Sequence, residues 1–560
     1  MMLSTRYLGQ SGVHGTLTTE HLGFATNTLR EATYFSGELK KVEGLREALG
    51  ALHGVVVSDF RYRPKDRAAW EVWLLAQDRL FLRGLAAKNA AAKADLERVE
   101  ARLAELDAAR AERMKPFYEA RRRYADHVVQ NEYELNNLYD PVVTVHPDEI
   151  FFEAFSKDES TYARVGATRA LWHDEGDVQF GTTNIDFSHK LAHHLDRLRS
   201  YRKTSFAVGP GGIDVKVGEV VHKEKKIELP ESWVQGFLQV QATMTMGLRS
   251  FDIAPIDLFN LLRLLVRRKT RTSPRALRFE LLPGKKVTAV LEPWGHEVQL
   301  SGVYDGDKPL SIRTWGRDRI KTLARLLPVA RRVRVYLAGF GLPSFYVVDL
   351  GDISFTLGLS GWTDNDWSGG AKFDLLTRRL DAKPEQLVRV WEALRGPRVA
   401  KDADVSAQVG LGIDETRSAL STLSQLGRAT YDLNTSCWRH RDLFFDNFSI
   451  AEAKKATSLS LEEQTPLAKA ARSIFESDNV RIIARRPVPT GYKLSGSALG
   501  TKSDRCRPQL HVDGAGQIIE GSCTCTHFRE HQMTKGPCEH LLALRLAHMS
   551  KLESEQAHVE

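Results

Sequence analysis

A chain of 560 residues is too long for one hydrophobic core and implies about three to five domains. Its hydrophobic fraction of 42% and charged fraction of 27% exclude an intrinsically disordered polymer. The start, MMLSTRYLGQSGVHG, is not patterned as a secretory leader and no apolar run is long enough to span a bilayer, so the expectation is a cytoplasmic protein without a membrane partner. A net charge of +8 makes polyanions candidate partners, although over this length the distribution of charge matters more than its sum. Five cysteines, three of them crowded near the C-terminus, fit a reducing compartment in which thiols bind metal or do redox chemistry rather than staple the fold.

The elements point to a multidomain α+β protein. Residues 1–64 mix short strands with one helix around Leu45 to Leu52 and read as a small α/β piece. From 65 to 139 the composition turns to Ala, Glu, Arg and Leu, and Leu96, Val99, Leu103 and Leu106 recur at three- and four-residue steps. That is the apolar repeat of a coiled coil, here a helical hairpin broken at Pro116. Residues 140–374 form a strand-rich α/β core in which EIFFEAFS, STYARV, RVYLAGF, SFYVVDL and ISFTLGL are strands and His189–Arg199 and Glu231–Met246 are helices. Its order of strands, helix, strands runs twice, as a duplicated unit would.

Between 384 and 446 three helical stripes follow one another: Leu387, Trp391 and Leu394, then Val405 and Val409, then Ala419, Leu420, Leu423 and Leu426, with Gly427 as a stop. ATYDL and CWRHR around NTS then predict a hairpin. Three helices and a hairpin in this order resemble a winged helix-turn-helix module, which implies a third helix offering Arg417, Ser418, Ser421 and Thr422 to a groove and a wing bringing Arg439, His440 and Arg441 to the phosphate backbone.

The last segment, 485–550, contains CTCTHFREHQMTKGPCEH. Residues two apart on a strand face the same way, so Cys523 and Cys525 aim both sulfurs at one point. Gly536 and Pro537 break the chain before the apolar run LLALRLA, which places Cys538 at a helix entry and His540 in its first turn. Three thiolates and an imidazole are the closed donor set of one structural Zn2+, whose binding contributes about 10–16 kcal/mol in small zinc domains. His511, His527 and His531 compete for the fourth place, while Cys437 and Cys506 read as small buried residues or idle thiols. The Cys-x-Cys and Cys-x-His pairs, with strands before and a helix after, resemble the SWIM-type zinc finger over about the final sixty residues. The resemblance implies a C-terminal ββα finger with Cys523, Cys525, Cys538 and His540 as zinc ligands, and an association with DNA or with other proteins.

Two basic clusters add to the case for nucleic acid. Seven of the sixteen residues from Arg263 to Arg278 are basic, including Arg267, Arg268 and Lys269, and no acid interrupts them. Arg317, Lys321 and Arg325 recur every four residues opposite Ile320, Leu323 and Leu327, as on one face of a helix. A solvated helix face explains this spacing equally well. Enzyme signatures are absent: there is no phosphate-binding loop and no HExxH, and GPGGIDV lacks the strand-to-helix setting of a dinucleotide site. His189 and His193 with Asp196, and Asp364 with Asp366, read as structural and turn residues rather than metal sites. The leading expectation is therefore a non-enzymatic, zinc-containing nucleic-acid-binding protein, with DNA as partner and no small-molecule substrate. The alternative is a scaffold that docks other proteins through the coiled-coil hairpin and the finger.

Overall fold

The computed structural model describes residues 3–5, 11–15, 19–26, 33–60, 95, 97–110, 112–116, 119, 141–173, 176, 178–185, 187, 191, 195–196, 198–201, 203–209, 227–229, 231–268, 275–361, 366–368, 373–376, 383–443, 448–458, 466–489, 491–500, 505–513 and 516–557. The chain divides into two compact units, one of residues 60–137 and the other of residues 1–59 with 138–560. In the smaller unit, residues 97–110 and 112–116 are helical, with Asp95–Arg98 and Arg102–Glu105 pairs at three-residue spacing. Val99, Leu103 and Leu106 of the expected heptad stripe are exposed on this helix. Leu96 and most of the expected hairpin lie outside the described residues.

The larger unit is built on an eight-stranded sheet. Its strands are β1 (Val142–Val145), β2 (Glu149–Phe155), β3 (Thr161–Thr168), β4 (Gly181–Asn184), β5 (Arg249–Ile253), β6 (Arg332–Leu337), β7 (Ser344–Asp349) and β8 (Ile353–Leu359), in the spatial order β5-β6-β7-β8-β3-β2-β1-β4. Two three-strand meanders, β1 to β3 and β6 to β8, meet at the centre where β3 pairs antiparallel with β8, Thr161 opposite Leu359 and Ala167 opposite Ile353. Every residue of β2 and β8 is buried, so both faces of the sheet centre are covered.

The two faces differ in chemistry because side chains alternate along each strand. Ile150, Phe152 and Ala154 of β2 and Ala163, Val165 and Ala167 of β3 form an apolar face that receives helix α1 (Glu43–Val56). Its Leu45, Leu49, Leu52 and Val56 recur at helical spacing and are buried there. The opposite face carries Glu149, Phe151, Glu153 and Phe155 beside Tyr162 and Arg164. Over its aromatic end lies helix α2 (Glu231–Met244), whose Trp233 and Phe237 meet the Phe155 ring at 5.4 and 4.9 Å. A four-stranded sheet of residues 277–314 and helix α3 (Pro255–Arg267) belong to the same core.

Residues 384–440 form α4 (Pro384–Arg395), β9 (Val399–Ala400), α5 (Asp402–Val409), α6 (Ile413–Gln425), β10 (Ala429–Asp432) and β11 (Cys437–His440), with the strands ordered β9-β11-β10. Leu387, Trp391, Leu394, Val405, Ala419, Leu420 and Leu423 make a separate small core. Gly427 holds a left-handed φ of 70° just after α6, a conformation glycine adopts without steric penalty. Helix α6 is also packed against α2, and seven of its 13 residues are buried, while Asp414 and Arg417 stay exposed on the remaining face.

The C-terminal part forms α7 (Pro466–Glu476), β12 (Val480–Val488), β13 (Gly491–Leu499), β14 (Arg505–Cys506), β15 (Gln509–Val512), β16 (Ile518–Ser522), α8 (Thr526–His531) and α9 (Glu539–Ala557). The sheet runs β12-β13-β15-β16, with β14 on β13, and α9 packs across it against α7. It is fastened to the core through the turn at 373–376: Ile518 N–H donates to the Leu376 carbonyl at 3.0 Å and the Arg545 guanidinium to that of Leu375 at 2.9 Å. No helix among the described residues is long and apolar enough to cross a membrane.

Candidate metal centre

Strand β16 ends at Ser522, so Cys523, Thr524 and Cys525 form a bend beyond the strand rather than part of it. Cys525 is extended and caps α8, its Sγ accepting the Phe528 N–H at 3.3 Å, while Thr524 Oγ1 accepts the Arg507 N–H at 3.0 Å. On the other side Gly536 turns the chain with a φ of 93°, and the Cys538 carbonyl accepts the N–H groups of Leu541 and Leu542 at the start of α9. His540 is the second residue of that helix. The sequence thus builds the site from two helix entries, where backbone donors converge on the sulfurs.

Cys523, Cys525, Cys538 and His540 are all buried, and their ligand atoms lie within 4.8 Å of one another. No disulfide joins the thiols. Both ring nitrogens of His540 are buried without a hydrogen-bond partner, which a neutral imidazole tolerates poorly unless something else takes a lone pair. Gly500 faces this ring: a Cβ there would stand 2.6 Å from His540 Nε2, so only glycine leaves the imidazole its position. A hydrogen bond from the Cys538 thiol outweighs burial and, helped by His540, pulls Cys523 down to about 4; the same bond pushes Cys538 up, and burial raises Cys525. The group already favours one thiolate. Glu539 Oε1 lies 3.7 Å from His540 Nε2, beyond hydrogen-bond distance, so three sulfurs and this imidazole fit a single metal ion with a closed coordination shell.

The competing histidines stand apart from this group. His527 and His531 lie one turn apart on α8 with ring centroids 5.2 Å from each other, and His511 sits on β15. Cys506 is buried in the core and Cys437 is half-buried on β11. His189, His193, Asp364 and Lys269 lie outside the described residues. Asp366 is described and Asp196 pairs with Arg325 at 2.5 Å.

The basic residues expected to meet phosphates are mostly engaged inside the protein. Arg439 is buried, with Nη1 2.8 and 2.9 Å from the Asp148 carboxylate and Nε 3.1 Å from both Glu149 and Asp432. Arg441 is buried on Glu153. Arg164 joins the same network through Glu149 and through Asp432 at 3.4 Å, and these cations hold Asp432 low although burial alone would raise it. The expected wing is therefore the element that neutralises the polar face of the central sheet, and Arg439 and Arg441 do not reach outward.

The expected helix of Arg317, Lys321 and Arg325 is instead a three-residue-per-turn segment, Arg319–Arg325, in which a four-residue spacing does not define one face. Arg317 is buried over the Trp294 ring at 5.2 Å and donates to the Glu292 carbonyl. Lys321 pairs with Asp318 at 2.5 Å, and Arg325 bridges Glu47 at 2.6 Å and Asp196. Arg417 stays half-exposed but pairs with Asp402 at 2.6 Å and Asp414 at 3.8 Å, and Ser421 is partly buried. Arg267 and Arg268 are exposed at the end of α3. Sequence reasoning missed the acids that capture the arginines. Their signal was Glu149 and Glu153 four apart in the otherwise apolar EIFFEAF, since two carboxylates on one face of a buried strand require cations.

No protein-family profile matches the chain, and no curated protein does. Among solved structures, the proliferating cellular nuclear antigen of Entamoeba histolytica aligns at 10% identity over 40% of this chain and 89% of its own, with a TM-score of 0.27. A DNA polymerase sliding clamp from Pseudomonas aeruginosa aligns at 13% identity over 40% of this chain and 58% of its own, with a TM-score of 0.25.

Proposed function

We propose that this chain is a non-enzymatic protein-docking adaptor whose C-terminal module is a SWIM-type finger stabilised by one structural Zn2+ on Cys523, Cys525, Cys538 and His540. The observation that carries the metal is the buried four-donor group whose ligand atoms lie within 4.8 Å of one another, with neither buried ring nitrogen of His540 in a hydrogen bond of ordinary length. Zinc supplies no reaction there, because four protein donors leave no position for water or substrate. It fixes β16 and the entry of α9, and so the surface that these elements present. Residues 384–443 act as a winged-helix-like packing module rather than a groove reader: Arg439 and Arg441 are held by internal carboxylates, and Arg417 on α6 is paired with Asp402 and Asp414. Docking of proteins is favoured over nucleic acid for that reason.

A second reading, DNA binding, rests on the exposed Arg263, Arg267 and Arg268 at the end of α3. Fluorescence anisotropy with a duplex oligonucleotide at about 50 and 200 mM salt separates the two. The adaptor reading expects no micromolar binding at the lower salt. Binding that weakens steeply with salt and falls further in R267A/R268A overturns it in favour of DNA.

A further inference from the structure

A cleft of about 250 Å³ opens where three parts of the larger unit meet: the end of α2, the α5–α6 face of the three-helix module, and Asp513 with Gln517 between β15 and β16. Met244 and Met246 form an apolar wall, and Tyr431 and Trp438, in an edge-on pair with centroids 5.2 Å apart, form an aromatic one. The rim is charged and unbalanced. Asp402, Asp414 and Asp513 bring three carboxylates against one guanidinium, Arg417, which already lies between the first two. Burial raises the Tyr431 phenol, which keeps this lining residue neutral.

We infer that this cleft receives an alkylammonium, the side chain of a lysine carried by a partner protein. Thioether and aromatic walls suit the four-carbon stem, ring faces attract the cationic head, and the excess of carboxylates favours positive over negative charge. The aromatic and methionine walls distinguish the cleft from a bare group of acids, which would hold a hydrated ion as readily. Arg417 acts as the internal competitor, since it lies between Asp402 and Asp414, while Asp513 accepts the Gln517 N–H at 2.7 Å. Gln517, whose N–H donates to Asp513, leads through β16 directly into Cys523, so the metal centre steadies one wall of the cleft. The inference rests on the adaptor reading only for the carrier of the lysine; the preference for cations stands without it.

The test uses metal-replete full-length protein, with zinc content measured on the same sample. Calorimetric titrations at about 50 mM salt compare a blocked lysine-rich peptide, the same peptide with acetylated lysines, spermidine and inorganic phosphate. Saturable binding of the unmodified peptide and none of the acetylated peptide or phosphate is expected. D414N weakens it roughly two- to five-fold and R417Q tightens it by a similar factor, the range for half-exposed charge pairs. Phosphate binding abolished by R417Q reverses the sign of the site and overturns the inference, as do equal binding of the acetylated peptide, affinity unchanged by D414N, and no binding at all. Spermidine binding as tightly as the peptide overturns the protein carrier. One zinc per chain with no cation binding sinks the cleft and leaves the metal centre standing.

Discussion

Arg441 places its Nη1 2.8 and 2.7 Å from the two carboxylate oxygens of Glu153, with both side chains fully buried between the central sheet and the 437–440 strand. The Tyr162 hydroxyl donates to Glu153 Oε1 at 2.8 Å, and the guanidinium lies 4.8 Å from the centre of the Phe237 ring. Beside it, Arg439 serves Asp148, Glu149 and Asp432, so one charged side chain from β11 and one just beyond its end seal a charged sheet face.

Removing one member of such a pair leaves the other buried without its counter-charge. R441M is expected to destabilise the larger unit by about 3–5 kcal/mol, whereas E153L/R441M recovers most of the loss because an apolar pair has no desolvation penalty. Urea unfolding of the four proteins of this cycle measures the coupling. Equal losses in the single and double variants would mean that the pair contributes packing alone.

The Gly500 position gives a second expectation. A Cβ at this residue meets His540 Nε2 at 2.6 Å, so G500A displaces the imidazole without touching a sulfur. Metal affinity, measured by competition with a chromogenic chelator, should fall about ten- to a hundred-fold, as when the support of a ligand is altered. Unchanged affinity would show that the ring binds from another position.

Metal removal should act locally. With the metal stripped, the bend at 523–525 and the entry of α9 lose their common anchor, while the eight-stranded sheet, though it shares one hydrophobic cluster with them, keeps the fully buried strands β2 and β8 at its centre. Limited proteolysis after chelation is expected to cut between residues 505 and 540 first, and C538S should be cut there even with zinc present. Protection of this segment in both samples would separate the fold of the module from its metal.

Acid sensitivity follows from histidines held neutral. Burial, with the nearby Arg398, Arg395 and Arg428, depresses His440 to about 3, and burial with Arg485 depresses His548 to about 4. Unfolded histidine protonates near pH 6.5, so the native state binds fewer protons below that value. This stability is complete above about pH 6.5 and is lost as pH falls toward the native values. H440Q should reduce the slope of stability against pH between about 6 and 4.5 by roughly one proton, read from urea midpoints across that range. An unchanged slope would mean that His440 titrates normally.

The metal group was legible because its donors are chemically rare and close in sequence, and spacing alone brings Cys523 to Cys525 and Cys538 to His540. Its local frame was less so: α8 begins immediately after Cys525, and the strand stops one residue before Cys523, because backbone N–H groups capped by sulfur replace a strand ladder there. Helices α4 to α6 were visible in their apolar periods. The fate of the arginines was hidden because their partners are distant in the chain, with Glu153 288 residues from Arg441 and Glu47 278 residues from Arg325. Periodicity reports which face of an element is apolar, and a buried ion pair reverses that inference for both partners. The Arg317, Lys321 and Arg325 spacing misled for a different reason, since four-residue steps mark a face only where the helix has 3.6 residues per turn.

X-ray absorption at the zinc edge of metal-replete protein tests the central claim most directly. The account predicts one zinc per chain with three sulfurs at about 2.3 Å and one nitrogen at about 2.0–2.1 Å. A shell of oxygen and nitrogen alone, or a protein that takes up no stoichiometric zinc, would contradict it.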